Sequence, residues 1–521
     1  MSGRGRDNHD VTTLDPDGHA SSPGLDACLA LTILHHPDPR RVGERAVLAG
    51  LADGATTGSA RLSRLVPDFG GSDGHPLGCP QISRRPIFIE LSARGVTLSL
   101  DADNARLDVD GERCGDEHRL SREAIEGGVV LELGGRVVLL LHRVHLTAPS
   151  PGDAERIAGT SDRVRTLRER LLRVAGVDQT VLLRGETGTG KELVARSIHE
   201  ASARAEGAFV SVNMAAIPPS LAAAAMFGHA RGAFTGATSA SVGYFGHAHG
   251  GTLFLDEIGD TPAAIQPALL RAIEDGEIQP VGDERSRRVD VRLIAATDVA
   301  LEAAVAAGQF REALLQRLGG YVIRLPPLRE RREDIGQLLV LFLREELERL
   351  GRSDRLAPTP DDRRPWLPAW LVAAAARATW PGNVRQLRNL AAQLAIDWSS
   401  RDEIPRTLEV EALIGAPARA ETPADTSVSN KRPNELSDEE LHDVLRAHGW
   451  QPARAAVALG ISRTSLYALM DKSPRLTKAA DLTREQILAA LNEHGGDLDR
   501  AANSLCVSAH GLRRQMSALG M

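Results

Sequence analysis

The chain is short of several things at once. Its 521 residues include four cysteines, at 28, 79, 114 and 506, and no two of them form a CxxC pair. That spacing offers neither a disulfide framework nor a zinc site. Aromatic residues make up 3% of the chain, and lysine supplies only 4 of its 62 basic residues, at 191, 431, 472 and 478. No apolar run approaches the roughly 20 residues that span a bilayer; the longest stretches, at 137–141 and 338–343, are the size of a strand or a piece of helix. The polar opening MSGRGRDNHD lacks the apolar core of a secretory signal. These absences predict a soluble, cytoplasmic chain with no membrane partner. Sixteen histidines show no HExxH or comparable spacing, so they mark no metal centre. Charge is near balance, with 62 basic against 69 acidic residues and a net of −7. This is globular composition, and any nucleic-acid binding has to be local rather than global.

The length exceeds a typical domain several-fold and implies several domains. Residues 1–29, rich in Gly, Asp, Ser and His, are expected to be a disordered tail. Over 30–147, short apolar alternations (LTIL, IFIEL, VTLSL, VVLEL, VVLLL) separated by turn residues predict an all-β sandwich or barrel. From 157 to 397, helical patterns alternate with the strands TVLL, TLFL and VRLIAAT, which predicts an α/β domain with a mainly parallel sheet. From about Pro327 the strands cease, and a helical lid is expected. Residues 415–435 form a Pro/Ala/Ser/Thr linker. The remainder repeats itself at a period of 46: 436–470 aligns with 482–516, pairing Leu445 with Leu491, Ala455-Ala456 with Ala501-Ala502, and Leu466 with Leu512. Each copy opens on a capping box, Ser437-x-x-Glu440 and Thr483-x-x-Gln486.

A phosphate-binding loop is written into the α/β part. Gly185-Glu186-Thr187-Gly188-Thr189-Gly190-Lys191-Glu192 follows an apolar strand and opens a helical pattern. Glycines let backbone N–H groups curl around phosphates, the helix adds its positive end, and Lys191 reaches the outer phosphates. Glu192 stands where such loops usually place a Mg²⁺-binding hydroxyl. Sixty-five residues beyond Lys191, the strand TLFL ends in Asp256-Glu257. Asp256 can hold Mg²⁺ and Glu257 can polarise an attacking water. Between the two motifs lies Gly232-Ala233-Phe234-Thr235-Gly236-Ala237, small residues around a single apolar tip.

With that hexapeptide in place, the sequence resembles the AAA+ activators of sigma-54 RNA polymerase, the bacterial enhancer-binding proteins. GETGTGKELVARSIH, GGTLFLDEIGD, FREALLQRL, LPPLRERREDI and WPGNVRQLRN carry the resemblance over about 240 residues. The resemblance implies an ATP- and Mg²⁺-dependent motor. Lys191 would bind phosphate, Asp256 would coordinate the metal, and Glu257 would be the catalytic carboxylate, oriented by Asn213. Arg311 and Arg317 would act as arginine fingers in a neighbouring subunit's site, implying a ring, with a hexamer expected. Arg385 would sense nucleotide from the lid. Residues 232–237 would contact sigma-54 and move with ATP turnover to open the closed promoter complex. Two departures stand out: Asp298 replaces a usual Asn, placing an acid near the outer phosphate, and alanines at 222–225 and 230 replace a commonly acidic stretch.

The C-terminal repeat has helix-turn-helix proportions, 436–476 and 482–521, and resembles the Fis-type DNA-binding module. Copy one presents Arg463, Thr464, Ser465 and Tyr467 towards a major groove of upstream enhancer DNA; copy two carries His510, Arg513 and Arg514. The N-terminal β-domain resembles a forkhead-associated domain, which reads phosphothreonine. Arg64, the Ser83-Arg84 pair and Asn104 are its candidate phosphate ligands, although the pattern's His is Pro86 here and its Asn-Gly-Thr is missing. Two competing expectations for the whole chain remain open, a DNA-binding regulator that uses its AAA+ domain for assembly alone and a remodeller of another partner; for the sandwich, a plain protein-interaction or autoinhibitory module stands beside phosphopeptide binding.

Overall fold

The computed structural model describes residues 27–52, 57–71, 74–92, 94–101, 106–145, 157–234, 237–360, 363–415, 438–447 and 482–494, with scattered positions at 450, 466, 470, 501–502, 504–505, 507, 512 and 515–516. The chain divides into two compact units, Met1–Ala418 and Arg419–Met521.

The first unit begins with a two-sheet sandwich. Its strands are β1 (Ala27–His35), β2 (Arg45–Ala52), β3 (Gly58–Leu62), β4 (Ile87–Ser92), β5 (Gly95–Ser99), β6 (Leu107–Val109), β7 (Glu112–Arg113), β8 (Glu117–Leu120), β9 (Val129–Leu133) and β10 (Val137–His145), with α1 (Arg122–Gly127) before β9. One sheet runs β2-β1-β10-β9-β6-β7 and the other β3-β4-β5-β8. Successive side chains point to opposite faces. Val137, Leu139 and Leu141 therefore fill the sandwich core with Leu31, Ile33 and Leu131. Val138 and Leu140 point the other way and are just as buried, because they join Leu34, Val130 and the lid helices in a second core. Strands covered on both faces read as unbroken apolar runs, which is the physical reason for VVLLL. β1 starts at Ala27, so the expected tail of 1–29 is too long at its end. Cys28 and Leu29 pair with Val144 and Arg143 of β10, and that pairing draws them into the sheet.

The α/β part follows: α2 (Asp162–Ala175), β11 (Val181–Arg184), α3 (Lys191–Glu200), β12 (Phe209–Asn213), α4 (Ala222–Phe227), α5 (Gly243–His247), β13 (Thr252–Asp256), α6 (Gln266–Asp275), the small hairpin β14 (Glu277–Ile278) and β15 (Arg287–Arg288), β16 (Arg292–Thr297), α7 (Leu301–Ala306), α8 (Glu312–Leu318) and β17 (Tyr321–Arg324). The sheet order is β12-β13-β16-β11-β17, and every neighbouring pair in it is parallel. Helices cover both faces: Val181, Leu183, Phe254 and Ile294 meet α2 and α3, while Leu182, Leu253, Leu255 and Leu293 meet α4, α5, α6 and α8. A sheet wound this way gathers its functional loops beyond the carboxyl ends of its strands.

The lid comprises α9 (Ile335–Arg349), α10 (Ala369–Arg377), α11 (Asn383–Trp398) and α12 (Leu408–Ile414). It runs past the expected limit of 397, because Val410 and Ile414 of α12 are buried in the lid core. No described helix is long and apolar enough to cross a membrane.

In the second unit, α13 (Asp438–Ala447) buries Leu441 and Leu445. α14 (Arg484–Glu493) begins with the expected reciprocal cap: the Thr483 N–H donates to Gln486 Oε1 at 2.9 Å, and the Gln486 N–H donates to Thr483 Oγ1 at 3.4 Å. Ile487, Ala501, Ala502 and Leu512 form its small core. Arg463, Thr464, Ser465, Tyr467, His510, Arg513 and Arg514 lie outside the described residues, as does Asn104 of the sandwich.

Candidate nucleotide site

The carboxyl ends of β11, β12, β13 and β16 converge on one cleft. After β11 the chain turns through Gly188 (φ +80°) and Gly190 (φ +102°), a backbone that side chains rarely adopt. α3 then begins at Lys191, aiming its positive end into the loop. The Lys191 ammonium is folded back onto the loop, donating to the Gly185 carbonyl at 2.8 Å and the Glu186 carbonyl at 3.4 Å. Thr189 is buried and its hydroxyl donates to the Glu186 carbonyl at 2.8 Å.

Asp256 closes β13, half-buried, directly beside Asn213 at the end of β12 in the sheet register. Burial pushes the Asp256 carboxyl up; Lys191 and the Glu257 N–H pull it down, and Glu192 and Asp298 push it up again. These neighbours place Asp256, Lys191, Glu192 and Asp298 within electrostatic reach of one another. A hard oxygen donor crowded by other carboxylates suits Mg²⁺, which binds through one or two carboxylates plus substrate phosphates. Among the described residues no cluster of three or more His, Cys, Asp or Glu forms a self-sufficient cage. Glu257 sits at φ +54°. A non-glycine residue held there costs about 1–3 kcal/mol and is typical of a functional position. Its N–H donates to Asp256 Oδ1 at 3.1 Å, so the two acids are fixed as a unit. Asn213 Oδ1 accepts from the Ala216 N–H at 3.3 Å, capping the next turn one strand away from the acid pair.

Asp298 is paired rather than bare: the Thr187 hydroxyl donates to its Oδ2 at 2.6 Å. The acid at the expected sensing position is thereby turned onto the phosphate loop. Arg311 caps the start of α8 and Arg317 lies in its last turn; both are exposed. Phe234 is 40% exposed and leans on the His229 ring, with centroids 5.0 Å apart. The Gly232 N–H donates to the Ala237 carbonyl at 2.8 Å, closing the base of that loop, while Thr235 and Gly236 lie outside the described residues.

Several residues that shape the site escaped the sequence reading. Arg329 donates two bonds to Glu186, of 2.8 and 2.6 Å. This pair holds the Glu186 carboxyl down at about 2, helped by Asn383. Asn383, fully buried at φ +50°, donates to Glu186 at 3.1 Å and to the Thr187 carbonyl at 3.1 Å, and accepts from the Leu328 N–H at 2.8 Å. The Arg385 N–H donates to the Gly188 carbonyl at 3.3 Å, while the Arg385 side chain is exposed. A Cβ on Gly188 would lie 2.2 Å from the Gly382 carbonyl, so glycine is required where lid and loop touch. The Arg-rich run after the last strand, LRERRED, was the available signal.

On the sandwich, Arg64 and Ser83 are neighbours, the Arg64 N–H donating to the Ser83 carbonyl at 3.2 Å. The Ser83 hydroxyl accepts from the Arg85 N–H at 3.0 Å. Arg84 beside them is exposed.

Residues 157–324 match the family described as the Sigma-54 interaction domain, and residues 434–472, the first repeat copy, match the family described as Bacterial regulatory protein, Fis family. The hydrogenase transcriptional regulatory protein HoxA of Cupriavidus necator is 39% identical over 360 residues, covering 68% of this chain and 71% of that protein. The Nif-specific regulatory protein of Klebsiella pneumoniae is 39% identical over 324 residues, 62% of this chain and 60% of that protein. Among solved structures, NtrX from Brucella abortus in complex with ATP is 31% identical over 70% of each chain, at a TM-score of 0.44.

Proposed function

Because the chain belongs to the sigma-54 activator family, with an AAA+ ATPase domain and a Fis-type helix-turn-helix domain, we propose that it anchors to upstream enhancer DNA and spends ATP on opening the closed promoter complex of sigma-54 RNA polymerase. The observation that carries this reading is the cleft itself, where Lys191, Asp256 and Glu257 share one sheet edge with the phosphate loop. ATP phosphates would displace the loop carbonyls now held by Lys191. Asp256, with Glu192 beside it, would hold Mg²⁺, which supplies charge neutralisation at the outer phosphates. Glu257 would orient the attacking water and accept its proton. Arg311 and Arg317, exposed on α8, would complete a neighbouring subunit's site in a cytoplasmic hexamer, stabilising transition-state charge by about 10³–10⁵ in rate. Phe234 and Thr235 would carry the loop that engages sigma-54.

The sandwich is proposed as a forkhead-associated-like sensor, with Arg64, Ser83, Arg84 and Asn104 receiving a phosphothreonine protein. Its support is the adjacency of Arg64 and Ser83. The second repeat, with His510, Arg513 and Arg514, is proposed as a further DNA contact.

The test is open-complex formation by full-length protein with sigma-54 holoenzyme on a closed promoter. Opening that requires ATP, Lys191 and Thr235 supports the motor. A chain that assembles and binds ATP but opens nothing would instead be a regulator using the ring for assembly. Opening lost in Phe234→Ala with ATPase intact would exclude a different remodelling target.

A further inference from the structure

The segment 328–334 consists of two short 3-10 turns, Leu328–Glu330 and Arg332–Asp334, and it touches both the phosphate loop and the sandwich. At its near end Arg329 grips Glu186 with both arms of its guanidinium. Arg331, buried, reaches the Thr189 carbonyl at 3.4 Å. At the far end Arg332 donates to the carbonyls of Gly127 and Gly128 in the sandwich at 2.8 and 2.6 Å, and to the Ala376 carbonyl of α10 at 2.8 Å.

Two independent observations mark the docking as built in. The six-stranded sheet keeps Val130, Val138 and Leu140 apolar on the face that its own sandwich does not use, and the lid covers them. A Cβ on Gly336 would lie 2.2 Å from the Leu34 carbonyl, so α9 lies on the β1 backbone at a distance only glycine permits.

We propose that Arg329 is a positioning residue for the phosphate loop, and that the sandwich sets its position through Arg332, so that docking of the sandwich tunes nucleotide affinity. The physical reason is charge placement. Glu186 is a carboxylate inside a loop built for phosphates, and it is tolerable there because Arg329 neutralises it and turns it to the lid. Anything that shifts 328–334 loosens Arg329 and returns that negative charge to the loop. Arg332 stands three residues further along these turns, and two of its three carbonyl partners, Gly127 and Gly128, belong to the sandwich. The inference rests on the phosphate loop being the nucleotide site.

ADP binding to the full-length chain, measured by calorimetry, tests it through a double-mutant cycle. Arg329→Ala is expected to weaken ADP by about five- to tenfold, the scale of one lost charge-assisted bidentate pair. Arg329→Lys keeps the charge without the fork and is expected to regain part of that loss. Gly336→Val wedges α9 off β1 and is expected to weaken ADP by about threefold, with amide exchange rising at Leu34 and Val130. Val138→Asp undocks the same face from the sandwich side with α9 unchanged, and it should reproduce that effect. In the Arg329→Ala background neither undocking change should weaken ADP further, because the link is already cut. Undocking with unchanged ADP affinity, effects that multiply in the double variants, or docking that survives both changes overturns the proposal. ADP binding that survives Lys191→Ala would instead overturn the nucleotide site, a result distinguishable from any of these.

Discussion

The nucleotide cleft and the seam between sandwich and lid are built from opposite materials. In the cleft, Lys191, Asp256 and Thr187 are only partly covered, and each is held by one or two polar bonds to groups a ligand can replace. In the seam, Leu34, Val138 and Leu371 are covered almost completely and held by packing, with Arg332 as the polar exception. The cleft can exchange its partners at little cost, since a hydrogen bond swapped for another changes the free energy by about 1 kcal/mol. The seam moves as a block or not at all, because close-packed apolar surfaces resist partial separation. The contrast suits a machine in which one region turns over ligand and the other keeps alignment.

The largest break in this contrast is expected from Lys191→Ala. ATP turnover should fall by at least about 10²-fold, the scale of one lost phosphate-stabilising group, with the thermal unfolding midpoint nearly unchanged; a phosphate-release assay beside calorimetry reads both. The seam should answer in the opposite way. Leu371→Ala removes a fully buried side chain and is expected to cost about 2–5 kcal/mol of stability. Urea unfolding of the first unit reports that loss, and turnover per folded chain should change far less than in the lysine variant.

How much of each region was legible follows from the same contrast. Phosphate loops, acid pairs and turn glycines are local in sequence, so Gly185–Lys191 and Asp256-Glu257 could be placed before any fold was known, and β11, β13 and β16 fell where TVLL, TLFL and VRLIAAT predicted them. The seam is not local. The run VVLLL was placed in an all-β sandwich, and nothing near Val138 and Leu140 in sequence names α9 and α10 as their cover. Arg329 and Asn383 lay in stretches that carried the resemblance, but nothing local paired them with Glu186, which lies 143 and 197 residues away from them. A polar network assembled from three distant segments has no spacing to read. The unbroken run VVLLL did carry a trace of the seam, in that strict alternation was missing.

A smaller effect sharpens the cleft side. Asp298→Asn retains an acceptor for the Thr187 hydroxyl but removes a negative charge that raises the proton affinity of Asp256. Mg²⁺-ATP binding is expected to tighten by about two- to fivefold, consistent with one screened charge pair, measured by titration calorimetry.

The last expected effect concerns pH at the seam and is read locally. Burial, joined by Asp334 and then by Asp162 against the opposing pull of Arg45, pushes the Glu333 carboxyl up to about 7. A carboxyl raised on folding contributes stability that is complete below its unfolded value of about 4.3 and is lost as pH rises towards the folded value. Amide protection factors at the Arg332–Asp334 turn, corrected for the intrinsic base-catalysed rate, should therefore be higher at pH 5 than at pH 8, and Glu333→Gln should flatten that difference while leaving other pH effects in place.

The double-sided β9–β10 hairpin also decides how this protein can be taken apart. A sandwich whose outer sheet face is apolar is not a cassette. Excised alone, it would present Val130, Val138 and Leu140 to water as an adhesive patch, and the motor left behind would bare the matching helices. Truncations at the domain junction therefore compare two sticky fragments with one stable parent. Chimeras that borrow a sandwich from a relative should work where the donor's outer face carries the same apolar residues and its first strand can lie as close to Gly336 of α9.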